Sequence, residues 1–304
     1  MGDRLFENSV VEIVCLEEFV YSHLMVPLME ISSLAKLKEH YPTHLVTGFP
    51  ISTLSFNGQV EVIMSWARAR LSRVVCVSNV HMLMEGHWKR SFSDVLMNAD
   101  LLTPDGMPLV WMTSLMKGRT QERVAGMELM LALCAEAEAS GISLFLLGST
   151  DEILAEIQRR FAEDFPKLKI AGIESPPFRE INPMEDKETI SRINASGAAL
   201  VFVSLGCPKQ ERWMSEHRGR IKAVMVGLGG VFEVYAGSKR WAPSWMRRHG
   251  LEWLYRLKQD PRRLWRRYAS TIPPFVYLAL KQLIKVRLGL ESARPSRRTG
   301  LRNH

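Results

Sequence analysis

Cysteine is scarce in this sequence: four residues in 304, none in a Cys-x-x-Cys pair. Cys15, Cys76, Cys134 and Cys207 are far apart, so reduced and mostly buried thiols in a cytoplasm are expected. Long apolar runs are missing too. The longest near the C-terminus, 272–280, has nine residues and two prolines, against the roughly 20 that a membrane-spanning helix needs. Near the N-terminus, Glu12, Glu17 and Glu18 interrupt the apolar stretch, and neither a basic segment nor a small-residue cleavage site flanks it. A secretory signal is therefore not expected. Several chemical signatures are also absent. No HExxH, zinc spacing or EF-hand loop appears, so no metal site is expected. No GxSxG elbow appears, which argues against an α/β hydrolase. Neither a Walker A motif nor a complete GxGxxG is present, which weakens a nicotinamide oxidoreductase reading. Asp-x-Asp, a pair that commonly holds a divalent cation against a sugar-nucleotide diphosphate, is missing as well. Diphosphate chemistry here would have to rely on Arg, Lys and helix N-termini.

Positive charge, by contrast, is concentrated. Residues 239–304 carry 17 Lys/Arg against 3 Asp/Glu, whereas residues 1–238 carry 23 against 29. The basic part is not a polar tail. From Trp241 to Tyr268 it reads WAPSWMRRHGLEWLYRLKQDPRRLWRRY, with Trp, Tyr, Leu and Met among the arginines. Apolar area beside cationic heads suits a surface that is rich in phosphate and half apolar.

With 46% hydrophobic and 24% charged residues, the chain has enough apolar content for a full core. Residues 1–43 read as an N-terminal extension. From 44 to 238, short β-rich runs alternate with amphipathic helical stretches. The strands are expected at Val74–Ser78, Ser143–Leu147, Leu200–Ser204 and Ala223–Val226, each apolar at nearly every position, as in strands covered on both faces. Helices are expected at Val60–Arg70, Ser91–Asn98, Glu128–Ala139, Asp151–Phe165 and Met184–Ala195. The alternation predicts an α/β, Rossmann-like core, a mostly parallel sheet flanked by helices. A basic helical appendage is expected over 239–290 and a disordered tail over 291–304.

Ligands of open α/β sheets bind at the carboxyl ends of strands, so the loops after the strands are where chemistry is expected. Ser78-Asn79 either caps the next helix or hydrogen-bonds a sugar or phosphate. Pro104-Asp105-Gly106 is turn chemistry. It also places a lone carboxylate at a strand end, where it could take a proton from a hydroxyl, with Gly106 admitting a ligand to the backbone. Arg123, in the run ending at Gly126, is either a solvated loop charge or a bidentate diphosphate clamp. Gly148 closes a strand. Gly206-Cys207-Pro208-Lys209-Gln210-Glu211 is either an ordinary strand-to-helix loop or an anion site at the helix N-terminus, and the Gly, Pro, Lys and Gln together favour ligand binding. Gly229 and Gly230 follow another strand and could admit a nucleotide close to the main chain.

In order, VSNVHML (77–83), ADLLTPDGMPLVW (99–111), ERVAGMEL (122–129), FLLGS (145–149), SLGCPKQERW (204–213), VGLGGVFEVYAG (226–237) and APSWMRRHGLEWLYRLKQDPRRLWRRY (242–268) resemble the WecG/TagA/CpsF family of bacterial glycosyltransferases, glycosyltransferase family 26. The resemblance spans about Leu45 to Tyr268. It implies transfer of a sugar from a UDP-sugar, of the UDP-N-acetylmannosamine or UDP-glucose type, to a sugar on a polyprenyl diphosphate. The transfer would invert the anomeric centre without a metal or cofactor, in cell-surface glycopolymer or exopolysaccharide synthesis. It implies a cytoplasmic enzyme peripheral to the inner face of the plasma membrane and held at its anionic surface; a homo-oligomer is compatible with it. By motif position Asp105 would be the general base, with Ser78 and Asn79 beside it. Arg123 and Gln210 would line the donor pocket. The C-terminal segment would act as lid and membrane contact, with Arg247, Arg248, Arg256 and Arg263 on phosphate or headgroups. The chain departs from the pattern at three places. Ser78 stands for a usual Thr, Met127-Glu128 for Ser-Asp or Thr-Asp, and Trp241 for an Arg.

Two other classes compete. A pI near 9.4 and the Arg/Trp/Tyr mixture suggest a nucleic-acid binder. The acidic balance of residues 1–238 and the lack of a recognised motif count against it, so no nucleic-acid partner is expected. A non-catalytic scaffold recruited to the membrane would share the basic segment but not need Asp105.

Overall fold

The computed structural model describes residues 41–290 apart from 178, 180 and 181. Most of the expected extension and all of the expected tail lie outside the described residues. The chain enters through an antiparallel hairpin, β1 (Thr43–Val46) and β2 (Phe49–Ser52), followed by α1 (Phe56–Arg68). The core then alternates as predicted: β3 (Arg73–Ser78), α2 (Val80–Trp88), α3 (Arg90–Asn98), β4 (Leu101–Pro104), α4 (Met107–Lys117), α5 (Gly126–Ser140), β5 (Ser143–Gly148), α6 (Asp151–Asp164) and β6 (Lys169–Glu174). It continues through α7 (Pro183–Ser196), β7 (Leu200–Ser204), α8 (Lys209–Glu216), β8 (Val224–Gly227) and α9 (Val231–Tyr235).

Strands β3 to β8 form one parallel sheet in the order β4-β3-β8-β7-β5-β6. Strands β3 and β8 are buried throughout, as is nearly all of β5 and β7, with helices on both faces. That double coverage is why they are apolar at almost every residue rather than at alternate ones. The register aligns their carboxyl ends: Ser78 lies opposite Pro104, Cys76 and Val203 opposite Gly227, and Gly148 opposite Ser204.

Helices α4 and α9 are not among the expected helices, and further elements depart from expectation. Helix α1 begins at Phe56 rather than Val60, because the Ser55 hydroxyl accepts the Gly58 amide 3.1 Å away and caps the turn. The hairpin β1–β2 and edge strand β6 were not foreseen. Pro50 sits within β2, and β6 (KIAGIE) is only partly covered, so neither carries the apolar run that marks the central strands.

Three helices complete the described chain: α10 (Ser244–Arg248), α11 (Glu252–Gln259) and α12 (Pro261–Arg287). Helix α12 contains Pro273 and Pro274. The carbonyls deprived of a partner belong to exposed Ala269 and Ser270, where water can satisfy them. Its second half is part of the core: Phe275 and Ala279 join the main apolar cluster with Met82, Leu83 and Phe92. The buried Gln282 carboxamide accepts the Thr47 amide at 2.8 Å and donates to the Leu45 carbonyl at 2.6 Å, tying the helix to the hairpin. The outer side of α12 exposes Trp265, Ile272, Val276, Leu280 and Ile284. No helix among the described residues is long and apolar enough to cross a membrane.

Candidate active site

The carboxyl ends of β3, β5, β7 and β8 and the loop after β4 open into one cleft of about 540 Å3. Asn79, Asp105, Gly126, Gly206, Lys209, Gln210, Gly229 and Gly230 line it from the core. Arg256 of α11 and Arg263, Arg267 and Tyr268 of α12 line it from the C-terminal helices. The basic segment therefore contributes cations to the same cavity that the strand ends open.

Asp105 sits one residue beyond β4, and its amide donates to the Ser78 carbonyl at 3.0 Å. The neighbouring strand thus fixes where the carboxylate stands. Its Oδ1 accepts from the amide of Gly126, at the N-terminus of α5, and from Arg123 Nη2, both at 3.3 Å. Burial pushes this carboxyl above its ordinary range, Arg123 pulls it back, and Glu252 pushes it up again. A carboxylate with a raised pKa beside an open cavity is a better proton acceptor than a solvated one. Gly126 has a steric reason to be glycine. A Cβ there would come within 2.9 Å of Val231 Cγ2, so only a bare α-carbon lets the start of α5 approach Asp105 between Val77 and Val231.

Arg123 is not a solvated loop charge. Its Nε donates to the Asp105 carbonyl at 2.5 Å, and its Nη2 reaches Glu252 Oε2 at 2.7 Å. Glu252 Oε1 in turn accepts from Arg256 Nε at 2.8 Å and Nη2 at 2.5 Å. Burial would raise the Glu252 carboxyl, but Arg256 and Arg123 outweigh it and hold it below its ordinary value.

Asn79 caps α2, its Oδ1 accepting the Met82 amide at 3.2 Å, and lines the cleft as well. The cap reading of the Ser78-Asn79 pair is thus met by Asn79. Ser78 is fully buried, and its hydroxyl donates to the Cys76 carbonyl at 3.2 Å. Gly106 stands beside Asn79 and opens α4. Gly148 shapes its turn rather than lining the cavity: with φ of +99° and a hypothetical Cβ 2.5 Å from the Ser204 oxygen, no other residue fits there. Gln210 lies against Gly227 and Gly229, and its Nε2 donates to Glu211 Oε1 at 2.6 Å. Glu211 is wholly buried beneath the wall; burial raises its carboxyl to about 7, against the pull of the Gln210 hydrogen bond.

Among the named arginines, Arg256 and Arg263 face the cleft. Arg247 is drawn aside. It binds Glu128 Oε1 at 2.5 Å and lies over the Trp241 ring, 3.7 Å from the centroid. Arg248 is exposed and is not among the residues lining the cleft.

Sequence reasoning overlooked His81, Glu252, Arg267 and Tyr268. His81 lies on the cleft wall two residues after Asn79, and burial followed by the nearby Arg267 charge lowers its imidazole to about 4, keeping it neutral. Arg267 follows Arg263 by one helical turn, a spacing that was available in the sequence. Glu252 is the lone acid between Trp241 and Gln259, and an isolated carboxylate among arginines is itself a signal of pairing.

The glycosyl transferase model of the WecG/TagA/CpsF family matches residues 44–288, from the first strand to the end of α12. Similar proteins include an N-acetylglucosaminyldiphosphoundecaprenol N-acetyl-beta-D-mannosaminyltransferase of Bacillus subtilis strain 168. It is 34% identical over 214 residues, covering 70% of this chain and 81% of that protein. Its counterpart in Bacillus spizizenii is 35% identical over 208 residues, 68% of this chain and 78% of that protein. The one from Staphylococcus aureus strain MW2 is 30% identical over 199 residues, 65% and 76% respectively.

Proposed function

Since the chain belongs to the WecG/TagA/CpsF family of glycosyltransferases, we propose that it moves a sugar from a UDP-sugar to a sugar carried on a polyprenyl diphosphate, with Asp105 as the general base. The donor is of the UDP-N-acetylmannosamine or UDP-glucose type, and the relatives' names favour the former together with an N-acetylglucosaminyl acceptor.

One observation carries the reading: Asp105, a carboxylate whose pKa burial raises, lines the same cavity as Arg256, Arg263 and Arg267. The acceptor hydroxyl gives its proton to Asp105 as its oxygen attacks the anomeric carbon of the donor. The bond from that carbon to the diphosphate breaks, and UDP departs with the electron pair. Displacement from the face opposite the leaving group inverts the anomeric centre, so one base suffices. Arg256, Arg263 and Arg267, together with Lys209 at the N-terminus of α8, supply positive charge for the departing diphosphate. A cleft of about 540 Å3 has the volume of a nucleotide-sugar site.

The acceptor's lipid stays in a bilayer, so the enzyme works at the cytoplasmic membrane face. The exposed Trp265, Ile272, Val276, Leu280 and Ile284 of α12, flanked by Arg262, Arg266, Lys281 and Lys285, suit that surface. Each well-placed cation contributes about 1 kcal/mol on an anionic membrane.

The test is a panel of UDP-sugars with a short-chain polyprenyl-diphosphate-sugar acceptor, scored by product mass, for the native chain and Asp105→Asn. The variant should bind UDP normally and lose about 10²- to 10⁴-fold in turnover. Near-native turnover would remove Asp105 as the base.

A further inference from the structure

We propose that Glu252 is a positioning residue which makes Asp105 an effective base only while α11 is seated against the core. The inference rests on the reading of Asp105 given above.

Four side chains of alternating sign form an unbroken string: Asp105, Arg123, Glu252, Arg256. Arg123 Nη2 is shared between two carboxylates, at 3.3 Å from Asp105 Oδ1 and 2.7 Å from Glu252 Oε2. The shorter contact is with Glu252. Its other oxygen takes two donors from Arg256, whose guanidinium lines the cleft. Glu252 thus neutralises both cations that face Asp105. The Asp105 carboxylate also accepts the Gly126 amide.

The string spans two parts of the chain. Asp105 and Arg123 belong to loops at the sheet edge, whereas Glu252 and Arg256 lie one turn apart on α11. Glu252 is 8% exposed, so its charge is held where water screens poorly. With α11 in place, Arg123 is divided between two anions, and Asp105 keeps its affinity for a proton. With α11 displaced, Arg123 would pair with Asp105 alone, stabilise its ionised form and make it a poorer acceptor. The seating that brings Arg256 to the leaving group is therefore the seating that readies the base. This ordering would hold back attack until the cleft is assembled.

The experiment uses the full chain with a UDP-sugar and a short-chain polyprenyl-diphosphate-sugar acceptor. The pH dependence of kcat would be measured for native protein, Glu252→Gln and Glu252→Asp. Glu252→Gln keeps the shape but not the charge. It should lower kcat about tenfold, shift the acid limb to lower pH, and leave the donor KM unchanged or lower, since Arg256 is freed for the diphosphate. Glu252→Asp keeps the charge and should restore the acid limb towards its native position. If Glu252→Gln does not fold, Glu252→Asp still decides: its acid limb must stay within a few tenths of a unit of the native one even where kcat falls. A lower kcat with an unmoved acid limb in Glu252→Gln would show a merely structural role and overturn the proposal, as would native kinetics. Asp105→Asn, run alongside, separates the two claims. Full turnover there defeats the base assignment itself, whereas lost turnover there with an unmoved limb in Glu252→Gln defeats only the coupling.

Discussion

Arg247 lies over the indole of Trp241, 3.7 Å from the ring centroid, and its Nη1 meets Glu128 Oε1 at 2.5 Å. Glu128 and Trp241, 113 positions apart in the chain, therefore converge on one arginine beside the site. The Glu128 carboxylate pairs with the guanidinium, and the Trp241 ring offers it an aromatic face. Trp241→Ala and Glu128→Ala should each cost stability and together cost less than their sum. The coupling should be about 1 kcal/mol, measured as a double-mutant cycle by urea denaturation.

Because burial raises the Asp105 carboxyl, activity should fall on acidification at a pH above the ordinary carboxylate range. The sign is fixed by chemistry: once protonated, the carboxyl accepts no proton from the acceptor hydroxyl. His81, lowered to about 4, stays neutral through that limb and should not shape it. A kcat/KM profile for native protein and His81→Gln checks both points; the two acid limbs should coincide.

Glu211 ought to make the fold more stable in mild acid than in base. Its carboxyl rises to about 7 in the folded protein from 4.5 when unfolded. The native state therefore holds the proton more tightly, and this contribution fades as pH climbs from the unfolded value through the folded one. The loss should reach about 3 kcal/mol by pH 8. Thermal midpoints at pH 5 and pH 8 should diverge in the native chain and converge in Glu211→Gln.

Gly126→Ala should destabilise the protein by about 1–3 kcal/mol, because its new methyl lies 2.9 Å from Val231 Cγ2. Adding Val231→Ala should recover part of the loss in a chemical melt. Failure to recover would mean that the clash is with the backbone rather than with that side chain.

Replacing Ile272, Val276, Leu280 and Ile284 by Ser should leave the core packing of α12 intact, since all four are exposed. Co-sedimentation with phosphatidylglycerol vesicles should weaken by about tenfold or more. Circular dichroism should be unchanged.

The central strands could be read from sequence because burial on both faces leaves no polar alternation to confuse them, as in VVCVS and LVFVS. Edge strand β6 could not, since Lys169 and Ile173 are exposed and the run reads as a loop. Asp105 was legible as a carboxylate after a strand. Its partnership with Gly126 and Arg123 was not, because it depends on β4 lying beside β3 and on α5 starting close by. The arginines were visible as a cluster, but which ones face inward is a matter of helical phase. Arg263 and Arg267 turn towards the cavity, while Arg247 is captured by a glutamate 119 residues away. Long-range pairing of that kind leaves no local trace.

The carboxamide of Gln282 clamps the main chain at Leu45 and Thr47. The last helix and the first hairpin are thereby stapled together, closing the described chain into a ring of contacts. A tug on α12 from an attached surface would be felt at the hairpin, and the two should fray as one unit in hydrogen exchange rather than peel away in turn.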